Sequence, residues 1–191
     1  MNGVGHYTAD ELVLVPPRAW RELAKHPASK YHGSPVFVIC RRESPLSTLR
    51  LATLDQRHFH LHRTPLLQLA EYMTGLDALC RTLGVTPLSR FVDITALEFA
   101  EASRLLPDTD AAPARADAET GLAWGIEDMV WFPISTGMTT LEALSGHLQR
   151  NRPREVSGAN HGQLLEALTF CEEQLRPLEP EGGQFHLAAG H

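Results

Sequence analysis

Arg57-His58-Phe59-His60-Leu61-His62-Arg63 alternates polar and apolar side chains, the period of a β-strand with one face in a core. Read as a strand, it directs Phe59 and Leu61 inward and sets His58, His60 and His62 in a row on the opposite face. Just upstream, Leu49, Leu51 and Thr53 alternate with Arg50 and Ala52, which predicts a second strand. Just downstream the period changes from two to between three and four. Thr64-Pro65 supplies a cap residue and a proline for a first helical position. Leu66, Leu69, Ala70, Met73, Leu76, Cys80 and Leu83 then recur on one helical stripe, widened by Leu67 and Leu79. Gly84 closes that helix, and Gly75 within it is a weak point.

Farther out the same alternation of periods continues without repeating a strand–helix–strand unit. On the N-terminal side, Thr8 and Glu11 have capping-box spacing, but Pro16-Pro17 stops any long helix there. A short helix is predicted from Pro17 to His26, and Pro35-Val36-Phe37-Val38-Ile39-Cys40 reads as a buried strand. On the C-terminal side, Arg90 to Ile94 alternates like a strand and Thr95 can cap a helix to about Leu105. Met129 to Phe132 predicts a strand, and Leu141, Leu144 and Leu148 mark a helix beginning near Thr139. Leu164, Leu168, Cys171, Leu175 and Leu178 define another helix, and Gln184 to Leu187 a final strand. The expected architecture is a single α+β domain over residues 1–191, with a mostly antiparallel sheet and helices packed on one face. The stretch from Pro107 to Gly121 has no large apolar side chain and is expected to be a flexible loop at about 107–121.

The chain has 191 residues, 43% hydrophobic and 21% charged, which is long enough to bury a core without a disulfide or structural metal. A net charge of −6 excludes the basic footprint of a nucleic-acid binder and suits docking to a basic protein. Met1 to Tyr7 has neither a basic start nor an apolar run, and no apolar stretch reaches membrane-spanning length. Cys40, Cys80 and Cys171 are widely spaced, odd in number and set in apolar patterns, as in a reducing compartment. A cytoplasmic protein with no membrane contact is expected.

Chemistry is hinted at in one place. Alternate residues on a strand face lie ~6.6 Å apart, so His58, His60 and His62 offer imidazoles that suit zinc or another transition metal. A catalytic zinc needs three protein ligands; His186 or His191 is a candidate third if Phe185-His186-Leu187 lies beside Phe59-His60-Leu61. The plain alternative is a row of solvated histidines. No Gly-x-Ser-x-Gly elbow, Walker motif or Gly-x-Gly-x-x-Gly run occurs. Trp124, Trp131 and Phe132, with Met129 and Asp128 among them, form the densest aromatic cluster, either core or interface. With no catalytic signature and no cofactor fingerprint, the chain reads as a non-catalytic protein-binding module. An immunity- or antitoxin-like protein docking a basic partner through Trp124, Asp128, Trp131 and Phe132 is one form of it. The alternative is a metal-dependent enzyme or metal sensor built on His58, His60, His62 and His186.

Overall fold

The computed structural model describes residues 13–14, 37–38, 48–105 and 116–190. The predicted helix at Pro17–His26, the capping-box pair Thr8 and Glu11, Cys40 and His191 lie outside the described residues. Among the described residues seven strands run in chain order: β1 (Val13–Leu14), β2 (Phe37–Val38), β3 (Thr48–Asp55), β4 (His58–Pro65), β5 (Val92–Asp93), β6 (Phe132–Pro133) and β7 (Gln184–Gly190). The helices are α1 (Leu67–Glu71), α2 (Met73–Leu83), α3 (Thr95–Leu105), α4 (Ile134–Arg150) and α5 (His161–Leu175). β1 and β2 form their own antiparallel ladder.

The main sheet has the order β4-β3-β7-β5, with β6 also paired to β7. Every ladder is antiparallel except β5 with β7, so the fold is α+β with a mostly antiparallel sheet, as the sequence predicts. The central strands β3 and β7 run in register from Thr48↔Gly190 to Leu54↔Gln184. That register sorts the side chains. Leu49, Leu51, Thr53, Phe185, Leu187 and Ala189 share the face covered by α1, α2, α4 and α5. Arg50, Ala52, Leu54, His186 and Ala188 point the other way.

The helix-covered face holds the main core. Leu69, Leu76, Leu144, Leu148, Leu164, Leu168 and Leu175 are fully buried there, and each such side chain contributes about 1.5–3 kcal/mol on leaving water. Cys80 and Cys171 sit among them, and burial pushes their thiols up to about 11 and about 12. Neither is a nucleophile at neutral pH.

Local structure departs from the predicted boundaries for identifiable reasons. Thr64-Pro65 does not start a helix: β4 runs through Pro65, which pairs with Arg50. An edge strand tolerates a residue without an N–H, and the next donor, Leu66 N, is taken by Leu49 O at 2.8 Å. The expected single helix is broken at Tyr72 into α1 and α2. Gly84 ends α2 at φ 71°, as predicted. Gly75 is a point of close approach: a Cβ there would lie 2.1 Å from the Glu155 carbonyl oxygen. A 3-10 turn, Leu88–Phe91, takes the first two residues of the predicted Arg90–Ile94 strand and leaves β5 at Val92–Asp93. Of the strand predicted from Met129 to Phe132, only Phe132 is extended and paired, together with Pro133. Helix α4 begins at Ile134, five residues before the predicted Thr139. Of the stretch expected to be a flexible loop, residues 116–121 form a closed turn. Asp117 accepts from the Glu119 and Thr120 amides, both at 2.9 Å, and Arg57 bridges to Glu119 at 2.7 Å. Among the described residues no helix is long and apolar enough to cross a membrane.

Candidate functional site

The sheet face opposite the four main helices is covered by a thinner layer, and its floor is made of small side chains. Ala188 of β7 lies between Arg50 of β3 and Asp93 of β5, and His186 lies beside Ala52. Over them sit Leu122, Trp124, Met129 and the first turn of α3 through Ala96, enclosing a cavity of about 190 Å³ also lined by Phe59 and Leu61. Helix α3 lies at the sheet edge and serves both layers: Leu97 packs on the main core while Phe99 stacks on Trp124 at 5.1 Å.

Asp93 holds this layer in place. Its carboxylate is 4% exposed. It accepts from Thr95 N at 3.2 Å, Thr95 Oγ1 at 3.0 Å and Val130 N at 2.9 Å. The capping role predicted for Thr95 therefore belongs to Asp93, with the Thr95 hydroxyl donating to Asp93 and lying 3.2 Å from the Asp128 carbonyl. The 3-10 turn Ile126–Asp128 is closed by Gly125 N donating to Asp128 Oδ2 at 3.0 Å. Trp131 Nε1 donates to Ile126 O at 2.9 Å, which orients the indole. That ring packs between Phe59, edge-on at 6.1 Å, and His186, tilted at 4.4 Å.

The aromatic cluster of the sequence is thus divided by the sheet. Trp124 and Trp131 belong to the outer layer, whereas Phe132 pairs opposite Phe185 and meets Phe91 at 5.4 Å on the helix-covered side. Asp128 is a turn-closing group. Of these predicted contact residues none is fully buried, but each is packed or hydrogen-bonded within the fold.

The histidines separate in the same way. Phe59-His60-Leu61 and Phe185-His186-Leu187 are not neighbours, since β3 lies between them. They are also out of phase: His60 is opposite Thr53, and His186 is opposite Ala52. His58, His60 and His62 consequently lie on the helix side and His186 on the other. The inside-outside reading of β4 holds for burial, since Phe59 and Leu61 are half-buried and His58 and His60 exposed, but the larger core lies on the histidine side. Phe59 and Leu61 are half-buried under the outer layer, and the histidine row lies on the main-core side at the sheet's edge. An edge strand is covered incompletely on both faces, so the pattern of alternation does not reveal which face carries the larger core.

His60 and His62 meet edge-on at 4.4 Å, and His62 packs on Phe170 of α5 at 5.8 Å. His62 Nε2 is 3.5 Å from Thr53 Oγ1, the outer limit of a hydrogen bond. Among the described residues no group of three His, Cys, Asp or Glu side chains is placed to hold a metal ion.

His186 is the residue that sequence reasoning undervalued. It is 1% exposed and its Nδ1 has no hydrogen-bond partner. Burial lowers its pKa from the ordinary 6.5, outweighing the opposing attraction of Asp93 and a hydrogen bond with the Val130 backbone. His62 is lowered too, by burial and then by His60. A histidine whose folded pKa lies below its unfolded one supplies stability above about pH 6.5 that is lost on acidification. The thermal midpoint is therefore expected to fall from pH 7.5 to pH 5 and to fall less steeply in His186→Phe. An equal pH dependence in the variant would remove His186 as a source.

Comparison of the chain with protein-family models, with curated proteins and with solved structures returns no match.

Proposed function

We propose that the protein is a non-catalytic, cytoplasmic binding module that docks a basic protein partner through its outer layer. The observation supporting this is the placement of Ile94 and Val130. Both are large apolar side chains left 47% and 43% exposed. Asp93 bonds Val130 N, and the neighbouring Thr95 hydroxyl lies against the Asp128 carbonyl, so their backbones are fastened side by side. β-Branched side chains on a fixed backbone lose little entropy when a partner covers them. Glu127 lies three residues before Val130 and Glu98 four residues after Ile94, and the net charge of −6 favours approach of a positively charged surface. In this reading Trp131 and Asp128 shape the docking surface from beneath. An immunity- or antitoxin-like role, in which the partner is a toxic basic protein, is the narrowest form of the proposal.

The test is isolation of the native partner from the source cells, followed by calorimetric titration against the purified chain. A net-basic partner is expected, with an affinity that weakens as salt rises. Ile94→Asp combined with Val130→Asp is expected to weaken binding at least about tenfold while the circular dichroism spectrum is unchanged. Wild-type affinity in that double variant would overturn the docking face. For the immunity form, co-expression of the chain should rescue cells from the partner's toxicity, and the double variant should not.

A further inference from the structure

The cavity beneath the outer layer contains unmatched chemistry of its own. Burying an imidazole nitrogen without a partner forfeits its hydrogen bond to water, and native structures rarely leave such a group unsatisfied without a reason. His186 lines the cavity, and its buried Nδ1 is one such group. Arg50 is a second unmatched group: it is exposed, lines the same cavity and has no ion pair or side-chain hydrogen bond among the described residues. The Asp93 carboxylate is already taken up by its three donors.

The register gives the backbone spacing of these two residues. Arg50 is two residues from Ala52, and Ala52 is opposite His186. Residues in this diagonal relation on one sheet face are about 7–8 Å apart. Between and around them lie Phe59, Leu61, Trp124 and Met129, with Ala188 as the floor. A dry apolar cavity of about 150 Å³ accepts one benzene ring; this one is about 190 Å³, with room for a ring and its substituents.

We infer that this cavity binds a small aromatic carboxylate bearing a hydroxyl group. Its carboxylate pairs with Arg50, its ring lies against the aromatic lining, and its hydroxyl satisfies His186 Nδ1. A hydroxyl both donates and accepts, so it serves either tautomer of the imidazole. The site is independent of the protein-docking face formed by Ile94 and Val130.

The probe is 4-hydroxybenzoate, compared with benzoate and 4-hydroxybenzamide. Binding is followed through tryptophan fluorescence, because Trp124 lines the cavity and Trp131 stacks on His186. Saturable binding of 4-hydroxybenzoate with a Kd of about 1 mM or tighter is expected, with both analogues weaker. Arg50→Gln, at an exposed position, should weaken the two carboxylates at least about tenfold and leave the amide unaffected. His186→Phe keeps the ring stacking and should make benzoate and 4-hydroxybenzoate bind equally. Absence of saturable binding by either carboxylate to the wild type overturns the inference, as does binding that neither substitution alters.

Discussion

Asp93→Ala is expected to destabilise the protein by about 2–4 kcal/mol, read from urea unfolding at neutral pH. The carboxylate is 4% exposed and accepts from Thr95 N, Thr95 Oγ1 and Val130 N. Alanine leaves these donors facing an apolar cavity, and hydrogen bonds to a charged acceptor are stronger than neutral ones. Asp93→Asn retains one acceptor oxygen and turns an amide N–H₂ toward the remaining donors, so an intermediate loss is expected. The consequence reaches the proposed docking face, because the bond to Val130 fixes that residue relative to Ile94. Asp93→Ala should also steepen the loss of stability on acidification, since the attraction that opposes the lowering of the His186 pKa is removed. A stability change below about 0.5 kcal/mol, the range of an ordinary surface substitution, would show that solvent takes over the carboxylate's contacts.

Phe185→Ala is expected to cost about 3–5 kcal/mol, the range for emptying a buried aromatic site. Phe185 is 2% exposed, packs on Phe91 at 5.1 Å and occupies the point where α4 comes closest to the sheet. The closeness is visible at Gly137, where an added Cβ would lie 2.3 Å from the Phe185 ring. Gly137→Ala alone is expected to destabilise by about 1–3 kcal/mol through overpacking. The two substitutions share one volume, so Gly137→Ala should cost less in the Phe185→Ala background than in the wild type. Additive losses would mean that α4 shifts freely and that Gly137 does not set its distance from the sheet.

The elements with the strongest sequence periodicity are those the structure contains. The stripe from Leu66 to Leu83 is helical, though interrupted at Tyr72, and the stripe from Leu164 to Leu178 is α5 as far as Leu175, with Leu178 in the 3-10 turn that follows. Both bury one face against the same core, and burial of that face is what imposes the period. Short segments were less legible. Met129-Val130-Trp131 is β-branched and aromatic, yet its backbone is diverted to Asp93 and its indole to Ile126. Pro65 reads as a helix start, but pairing with Arg50 keeps it in the strand. In each case a long-range hydrogen bond outweighs a local preference of less than about 1 kcal/mol per residue.

The site was legible in its parts. Trp124, Trp131 and His186 stand out in the sequence, but Asp93 and Arg50 carry no local signal. They line one cavity because Ala188 stands between Arg50 on β3 and Asp93 on β5, strands some forty residues apart in the chain.

By itself the sequence determined the class of fold, the strand–helix order around β3, β4 and α2, and the acidic balance, because periodicity and charge are local or additive properties. Tertiary structure alone decided which face of each strand meets which layer. The tripeptides Phe59-His60-Leu61 and Phe185-His186-Leu187 are identical in sequence. The register against β3 nevertheless turns one histidine toward the helices and buries the other under tryptophan. A strand's alternation specifies that its two faces differ, and only pairing with its neighbours specifies which is which.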